Sequence, residues 1–246
     1  MRSLTLDRCL PGRLEQLIPF GPLSPEDSER LASSAFVRPF RRADVLAREH
    51  EPPEWIQVVE RGFLRVGRTT SVGREVGFGL VGPGEVAGVL TVLDGGPVGE
   101  EVRAVSGGVA IAVSRREVRE VVERSPPLAL AFGRLAALQA RRAREDLVER
   151  MTLDVPTRLA RRLIDLGASL GVPAGTCAST VLPILHQDLA DLVGAARETV
   201  SKALGRFVAA GWIRTSARRI VMMDHDALRA FAGIERYTTD GPPPAW

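Results

Sequence analysis

The spacing of apolar residues changes at Ser114, and few folds accommodate such a change. From Ala35 to Val113 short Val-rich runs alternate with Gly or Pro: Trp55–Val59, Phe63–Val66, Val76–Val81, Val102–Val105 and Val109–Val113. Turn signals recurring at roughly 8–12 residues predict antiparallel strands in a sandwich or barrel. Ser114 and Glu117 then read as a capping box that opens a short helix. Ser125-Pro126-Pro127 starts a long helix predicted to run to about Met151. Leu128, Phe132, Leu135 and Leu138 recur at three- or four-residue spacing, and Leu147, Val148 and Met151 restore that stripe beyond a charged stretch. A second copy of the chain across a two-fold axis would bury it, and so would the chain's own β unit.

The flanking segments are helical. Ser24 reads as an N-cap with Pro25 at the first helical position, Glu26 and Asp27 in the first turn and Leu31 facing inward. Asp154 caps a helix with Leu159, Leu163, Ile164 and Leu166 inward. Residues 171–180 read as a small-residue loop, two strands are predicted around Thr215–Arg219, and a helix with Leu228 and Phe231 follows. The expected fold class is α+β, with 1–124 a β unit and its helices, 125–152 the long helix, 153–235 a helical module and 236–246 a disordered Pro-rich tail.

Composition removes several function classes. Aromatic residues make up 5% of the 246, with one Tyr, too few for a base-stacking RNA platform. Cys9 and Cys177 cannot build an all-Cys cluster or zinc site. No run of about 18 apolar residues and no signal-peptide pattern exists, so a soluble, cytoplasmic protein without membrane association is expected. Three His and two Cys offer no metal-ligand spacing, and no catalytic triad stands out. Gly77, Gly79 and Gly82 spell G-x-G-x-x-G, but Pro83-Gly84 follows and Val residues flank the run, where a dinucleotide site needs a helix to open. A nucleotide-dependent enzyme using Gly77–Gly82 is the alternative from a different class.

The most informative run is Leu185–Phe207. Leu189, Leu192 and Val193 form one short apolar face, Gly194 supplies a residue that tolerates positive φ, and Val200, Ala203, Leu204 and Phe207 form the inner face of a second helix. Ala190 is small where the two helices cross. This is the pattern of a helix-turn-helix, whose second helix can enter a major groove. Its outward residues are Arg197, Glu198, Ser201, Lys202 and Arg206. Arg can donate twice to guanine and Glu can accept from cytosine. Residues 197–219 hold six basic side chains against Glu198 alone, a local +5 in a chain of net charge +3. Such charge fits a phosphate backbone; an ordinary solvated helix face is the alternative. Lys202 is the only lysine; every other basic residue is Arg.

Val193–Leu204, followed by Gly211-Trp212-Ile213, resembles the winged helix-turn-helix of the catabolite activator protein (CRP/FNR) family of bacterial transcription regulators. Leu153–Leu163 resembles that family's hinge and first DNA-domain helix, and Gly82–Gly88 the turn opening its cyclic-nucleotide-binding β-roll. The similarity runs from about residue 20 to 235. It implies a β-roll sensor, a long dimerisation helix and a C-terminal winged helix-turn-helix, acting as a homodimer on double-stranded DNA with RNA polymerase as a further partner. It places Arg197, Glu198 and Lys202, with Ser201, at base-reading positions and His186, Gln187, Thr199, Arg206 and Arg218 at phosphates. The half-site is expected to lie between TGTGA and TTGAT.

The sensor departs from the family pattern. The effector pocket would comprise Gly84, Glu85, Val89, Glu100, Glu101, Ala143 and Arg144. Val89 stands where a Glu would hold the ribose, and Val98, Gly99, Glu100 and Glu101 stand where an Arg-Ser pair would hold the cyclic phosphate. Two carboxylates there repel an anion. Ala143 and Arg144 replace small hydroxyl residues that reach the adenine. A regulator indifferent to cyclic AMP in the usual mode is therefore expected, with the effector unknown and no cofactor or metal predicted. A cyclic-nucleotide-responsive activator with an atypical pocket is the alternative.

Overall fold

A computed structural model describes residues 23–51, 54–73, 75–170, 172–173, 180–182, 184–216 and 219–234. The chain divides into two compact units, Met1–Val148 and Glu149–Trp246, and the division falls within one continuous helix. Cys9, Cys177 and the 236–246 tail lie outside the described residues.

In the first unit the Val-rich segment forms β1 (Ala35–Phe40), β2 (Val45–Ala47), β3 (Trp55–Arg61), β4 (Leu64–Thr69), β5 (Glu75–Val81), β6 (Val86–Ala87), β7 (Glu101–Ala104) and β8 (Gly108–Ser114). These pair antiparallel as two four-stranded sheets, β1-β8-β3-β6 and β2-β7-β4-β5. Alternation along β3 explains the core. Ile56 and Val58 join Ile111 and Val113 against the helices α1 (Pro25–Ser33), α3 (Arg115–Arg124) and α4 (Pro126–Thr152). Val59 packs instead with Phe40, Leu64, Val81, Val102 and Ala110 in a second cluster fed by both sheets.

Local signals hold at most helix starts. Ser24 Oγ accepts from the Asp27 amide at 3.1 Å. The predicted capping box at Ser114 is only half formed: Ser114 Oγ accepts from the Glu117 amide at 3.5 Å, while the Glu117 carboxylate is taken by Arg30 of α1. A charge-assisted bond to a guanidinium outcompetes a backbone amide for that carboxylate. Arg30 also binds Glu120, and Arg124 binds Asp27, so α1 is held to α3 by three ion pairs. That contact with Arg124 holds the Asp27 carboxyl below the usual carboxylate range.

Gly77 and Gly79 lie within β5 and Gly82 directly after it, the strand and turn positions that the flanking Val residues predict, so the G-x-G-x-x-G run opens no helix. Two expectations change. The Val89–Asp94 segment is a short helix, α2, bracketed by Gly88 (φ 98°) and Gly95 (φ 71°). The single apolar stripe on α4 divides. Leu128 and Phe132 are buried in the unit's own core, with Leu135 partly so, whereas Leu130, Leu138, Leu147, Val148 and Met151 are exposed.

The second unit contains α5 (Val155–Leu170), α6 (His186–Val193), α7 (Arg197–Ala209) and α8 (His225–Phe231). Its sheet has the order β11-β12-β10-β9, with β9 Val172–Pro173, β10 Thr180–Leu182, β11 Ile213–Ser216 and β12 Arg219–Met222. The segment read as a loop over 171–180 thus carries strand residues at both ends. β10 pairs with the nearby two-residue β9 on one side and on the other with β12, some forty residues later, through Leu182↔Ile220 and Thr180↔Met222. Leu159, Leu163, Ile164 and Leu166 are buried as their spacing predicts. Phe207, Trp212 and Phe231 meet with ring centroids 5.3–5.5 Å apart and close the unit's far side. Among the described residues no helix is long and apolar enough to cross a membrane.

Phe132 has no exposed surface and joins α4 to the first unit. Phe132→Ala is expected to destabilise that unit by about 3–5 kcal/mol, read as a fall in the urea midpoint of its unfolding transition.

Candidate nucleic-acid interface

Helices α6 and α7 are joined by a turn at Gly194, whose φ of 71° needs a residue without a Cβ penalty. The Arg150 guanidinium fills the space a Cβ would take there, and a second guanidinium binds the adjoining carbonyl. Arg150, in the last turn of α4, donates to the Leu192 carbonyl at 3.0 Å, and Arg158 of α5 donates to the Val193 carbonyl at 3.3 Å. These carbonyls end α6, where the helix dipole favours positive charge. Arg158 also donates to Leu153 O at 2.6 Å, and Arg161 bridges Glu149 and the Ala232 carbonyl. At the start of α5 the Asp154 carboxylate accepts from the Thr157 amide at 2.9 Å. Hydrogen bonds from Thr157 hold that carboxyl below its usual range, and Arg158 and Arg206 reinforce the effect.

With α6 clamped, α7 buries Val200, Ala203, Leu204 and Phe207 and turns its other residues outward. Arg197, Glu198, Thr199, Lys202 and Arg206 are exposed, and Ser201 is half-buried. The predicted base-reading set therefore lies on one helix, with Arg197, Ser201 and Gly205 one turn apart. Arg214 and Arg219 are exposed on the β11–β12 hairpin; Arg218 lies outside the described residues.

Two of the predicted phosphate residues have partners that sequence alone did not reveal. Gln187 is exposed and its Nε2 donates to Asp191 at 2.8 Å, one turn along α6. His186 is half-buried, and its Nδ1 lies 3.1 Å from Ser201 Oγ, across the helix pair. Burial lowers its pKa from the ordinary histidine value, and the Arg197 charge lowers it further. Arg150 and Arg158, the residues that clamp α6, carried no local signal at all.

The sensor cassette has a different character. Gly84 adopts φ 83° in the turn before β6, and Glu85 accepts from the Gly82 amide at 2.8 Å. The Glu85 carboxylate also lies 3.8 Å from Arg142 of α4, next to the exposed Ala143 and Arg144. Val89 and Val98, at the positions expected to bear ligand-binding side chains, are buried. The two predicted repelling carboxylates do not act alike. Glu101 is bound by Arg103 at 2.7 Å, which offsets its charge, whereas Glu100 is half-buried and desolvation pushes its pKa up. Both changes weaken the predicted repulsion, but neither supplies the cation that a cyclic phosphate requires.

Comparison with known proteins follows this division of the chain. A Crp-like helix-turn-helix domain matches residues 157–231, and a cyclic nucleotide-binding domain matches residues 37–125. The cyclic AMP receptor protein of Thermus thermophilus is 30% identical over 199 residues, covering 79% of this chain and 87% of its own length. The chain belongs to the CRP/FNR family of transcription regulators. A CRP-like cAMP-activated global transcriptional regulator of Mycobacterium tuberculosis is 29% identical over 189 residues, covering 77% of this chain and 84% of its own. The solved structure of FixK2 from Bradyrhizobium japonicum shares the fold, with a TM-score of 0.71 and 24% identity over 80% of this chain and 96% of its own. The family's two domains and its relatives are those of DNA-binding regulators and not of enzymes.

Glycine substitutions separate the two structural roles in the helix pair. A Cβ at Gly194 would collide with the Arg150 guanidinium and sit at positive φ, whereas one at Gly205 meets open space on a helix. Gly194→Ala is expected to destabilise the second unit by about 1–2 kcal/mol, and Gly205→Ala to stabilise it by up to about 1 kcal/mol. Thermal unfolding of the two variants without DNA measures both signs.

Proposed function

We propose that this regulator acts as a homodimer on a pseudo-palindromic DNA site and does not respond to cyclic AMP in the usual mode. The observation that carries the dimer is α4, a 27-residue helix whose buried side chains are confined to Leu128 and Phe132. Leu138, Leu147, Val148 and Met151 remain exposed along the rest of it, which a second copy of the same helix would cover. Two copies related by a two-fold axis would offer two α7 helices to successive major grooves, about one helical turn apart. In this reading Arg197, Glu198, Ser201 and Lys202 contact bases, and His186, Gln187, Thr199, Arg206 and Arg218 contact phosphates. RNA polymerase is the partner through which a bound dimer would act on transcription.

The effector reading rests on Val89 and Val98. Neither an apolar side chain nor a cassette bearing Glu100 supplies a counter-charge to a cyclic phosphate. The names of the Thermus and Mycobacterium relatives favour the alternative, a cyclic-nucleotide-responsive activator. Fluorescence-anisotropy titration separates the two, using a TGTGA-N6-TCACA duplex and scrambled DNA, each with and without cyclic AMP. Selective binding that ignores the nucleotide is expected; selectivity that appears only with cyclic AMP overturns the effector reading, and equal affinity for both duplexes overturns specific recognition of this site. Sedimentation at micromolar concentration is expected to give twice the chain mass, and a monomer overturns the dimer.

Base reading and phosphate contact differ in how they fail. Arg197→Ala is expected to cost about 1–3 kcal/mol on a specific site and to relax preference at one base pair, while Arg206→Ala weakens specific and random duplexes alike. Equal losses on both duplexes for Arg197→Ala would remove it from the base-reading set.

A further inference from the structure

We infer that His186 determines which base edge Ser201 reads, by fixing the direction of the hydrogen bond between them. The inference rests on the reading of α7 as the base-contacting helix and of His186 as a phosphate contact.

The geometry joins two residues fifteen positions apart. His186 begins α6, Ser201 lies on the outward side of α7, and Nδ1 and Oγ are 3.1 Å apart. The ring has one other nitrogen, Nε2, left to meet DNA. A phosphate oxygen only accepts, so a ring that binds phosphate through Nε2 carries its hydrogen there. In the neutral ring Nδ1 is then bare and is an acceptor. The Ser201 hydroxyl must donate to it, and a hydroxyl has one hydrogen. What Ser201 presents to the groove is therefore lone pairs alone, which suit the exocyclic amino groups of cytosine or adenine and not the acceptor edges of guanine or thymine.

Protonation reverses this. An imidazolium donates from both nitrogens, so Ser201 accepts from Nδ1 and its hydrogen is released toward the groove. The hydroxyl then pairs with either kind of base edge. In the protein without DNA burial opposes a further cation on the ring and Arg197 of α7 adds to this, while a phosphate at Nε2 favours the cation. On its own helix Asp188 is engaged with the Leu185 amide at 3.0 Å, and Gln187 with Asp191. The cations of α4 and α5 that reach α6, Arg150 and Arg158, bind its opposite end at Leu192 and Val193. The acceptor-only state holds above the pKa of the ring in the complex and is lost as pH falls through it.

His186→Arg supplies the decisive variant. Arginine keeps a positive donor for phosphate but carries no acceptor, so it can only donate to Ser201. Full-length protein is incubated with a duplex pool randomised across both half-sites, and the bound fraction is sequenced at about pH 8 and about pH 5. Ser201→Ala identifies the base position that Ser201 reads. At that position the unaltered protein is expected to prefer cytosine or adenine on the contacted strand by about fivefold at the higher pH, and the preference is expected to flatten at the lower. His186→Arg is expected to lack the preference at both pH values.

An identical base profile for His186→Arg and the parent overturns the inference, and so does a parent profile that ignores pH. If Ser201→Ala alters no position while Arg197→Ala still does, α7 reads bases but Ser201 does not, and the inference fails alone. If neither alters any position, the base-reading assignment itself fails. Nitrogen-15 NMR of the histidine rings gives a readout independent of folding in the variants: Nδ1 of His186 in the DNA complex at about pH 8 should carry no hydrogen. A protonated Nδ1 there overturns the proposal.

Discussion

The DNA-binding unit depends on how one helix ends. At the C-terminus of α6 the chain must reverse direction with its last carbonyls unpaired, and Arg150 and Arg158 donate to two of them. Gly194 makes this arrangement possible twice over: its backbone is left-handed, and its missing side chain leaves room for the Arg150 guanidinium. The clamp draws one cation from the long helix α4 and another from α5. The angle at which α7 leaves the turn, and so the direction in which Arg197, Ser201 and Lys202 face, follows from this junction. Arg150 thereby makes the last turn of α4 part of the second unit.

In the first unit two four-stranded antiparallel sheets, the turn at Gly84 and the short helix after Gly88 form the scaffold of the cassette. Val89 and Val98 are buried as packing residues, Arg103 is engaged by Glu101, and Glu85 turns toward Arg142 of α4. A fold sets where a ligand can sit, while individual side chains decide whether it stays.

Much of this was legible residue by residue. The strands of the first unit follow from Val-rich runs between glycines and prolines, the limits of α4 from Ser125-Pro126 and the length of the apolar spacing, and the helix pair from Gly194 between two apolar faces. Ser24 and Asp154 mark helix starts because an N-cap is a contact over three residues. The failures share the opposite property. The capping box at Ser114 is incomplete because Arg30, eighty-seven residues earlier, takes the Glu117 carboxylate. β10 depends on β12, and the stripe on α4 divides because only its first turns meet the core of their own unit.

The candidate interface divides along the same line. Apolar spacing alone names the side chains on the outer face of α7, since a 3.6-residue period fixes faces as soon as the inner residues are known. The sequence also shows the surplus of positive charge there. The packing of the helices against one another brings His186 to Ser201 and two arginines to the turn. Hydrogen bonds between helices depend on crossing angle and rotamer to within a few tenths of an ångström. Periodicity carries a face, not a distance.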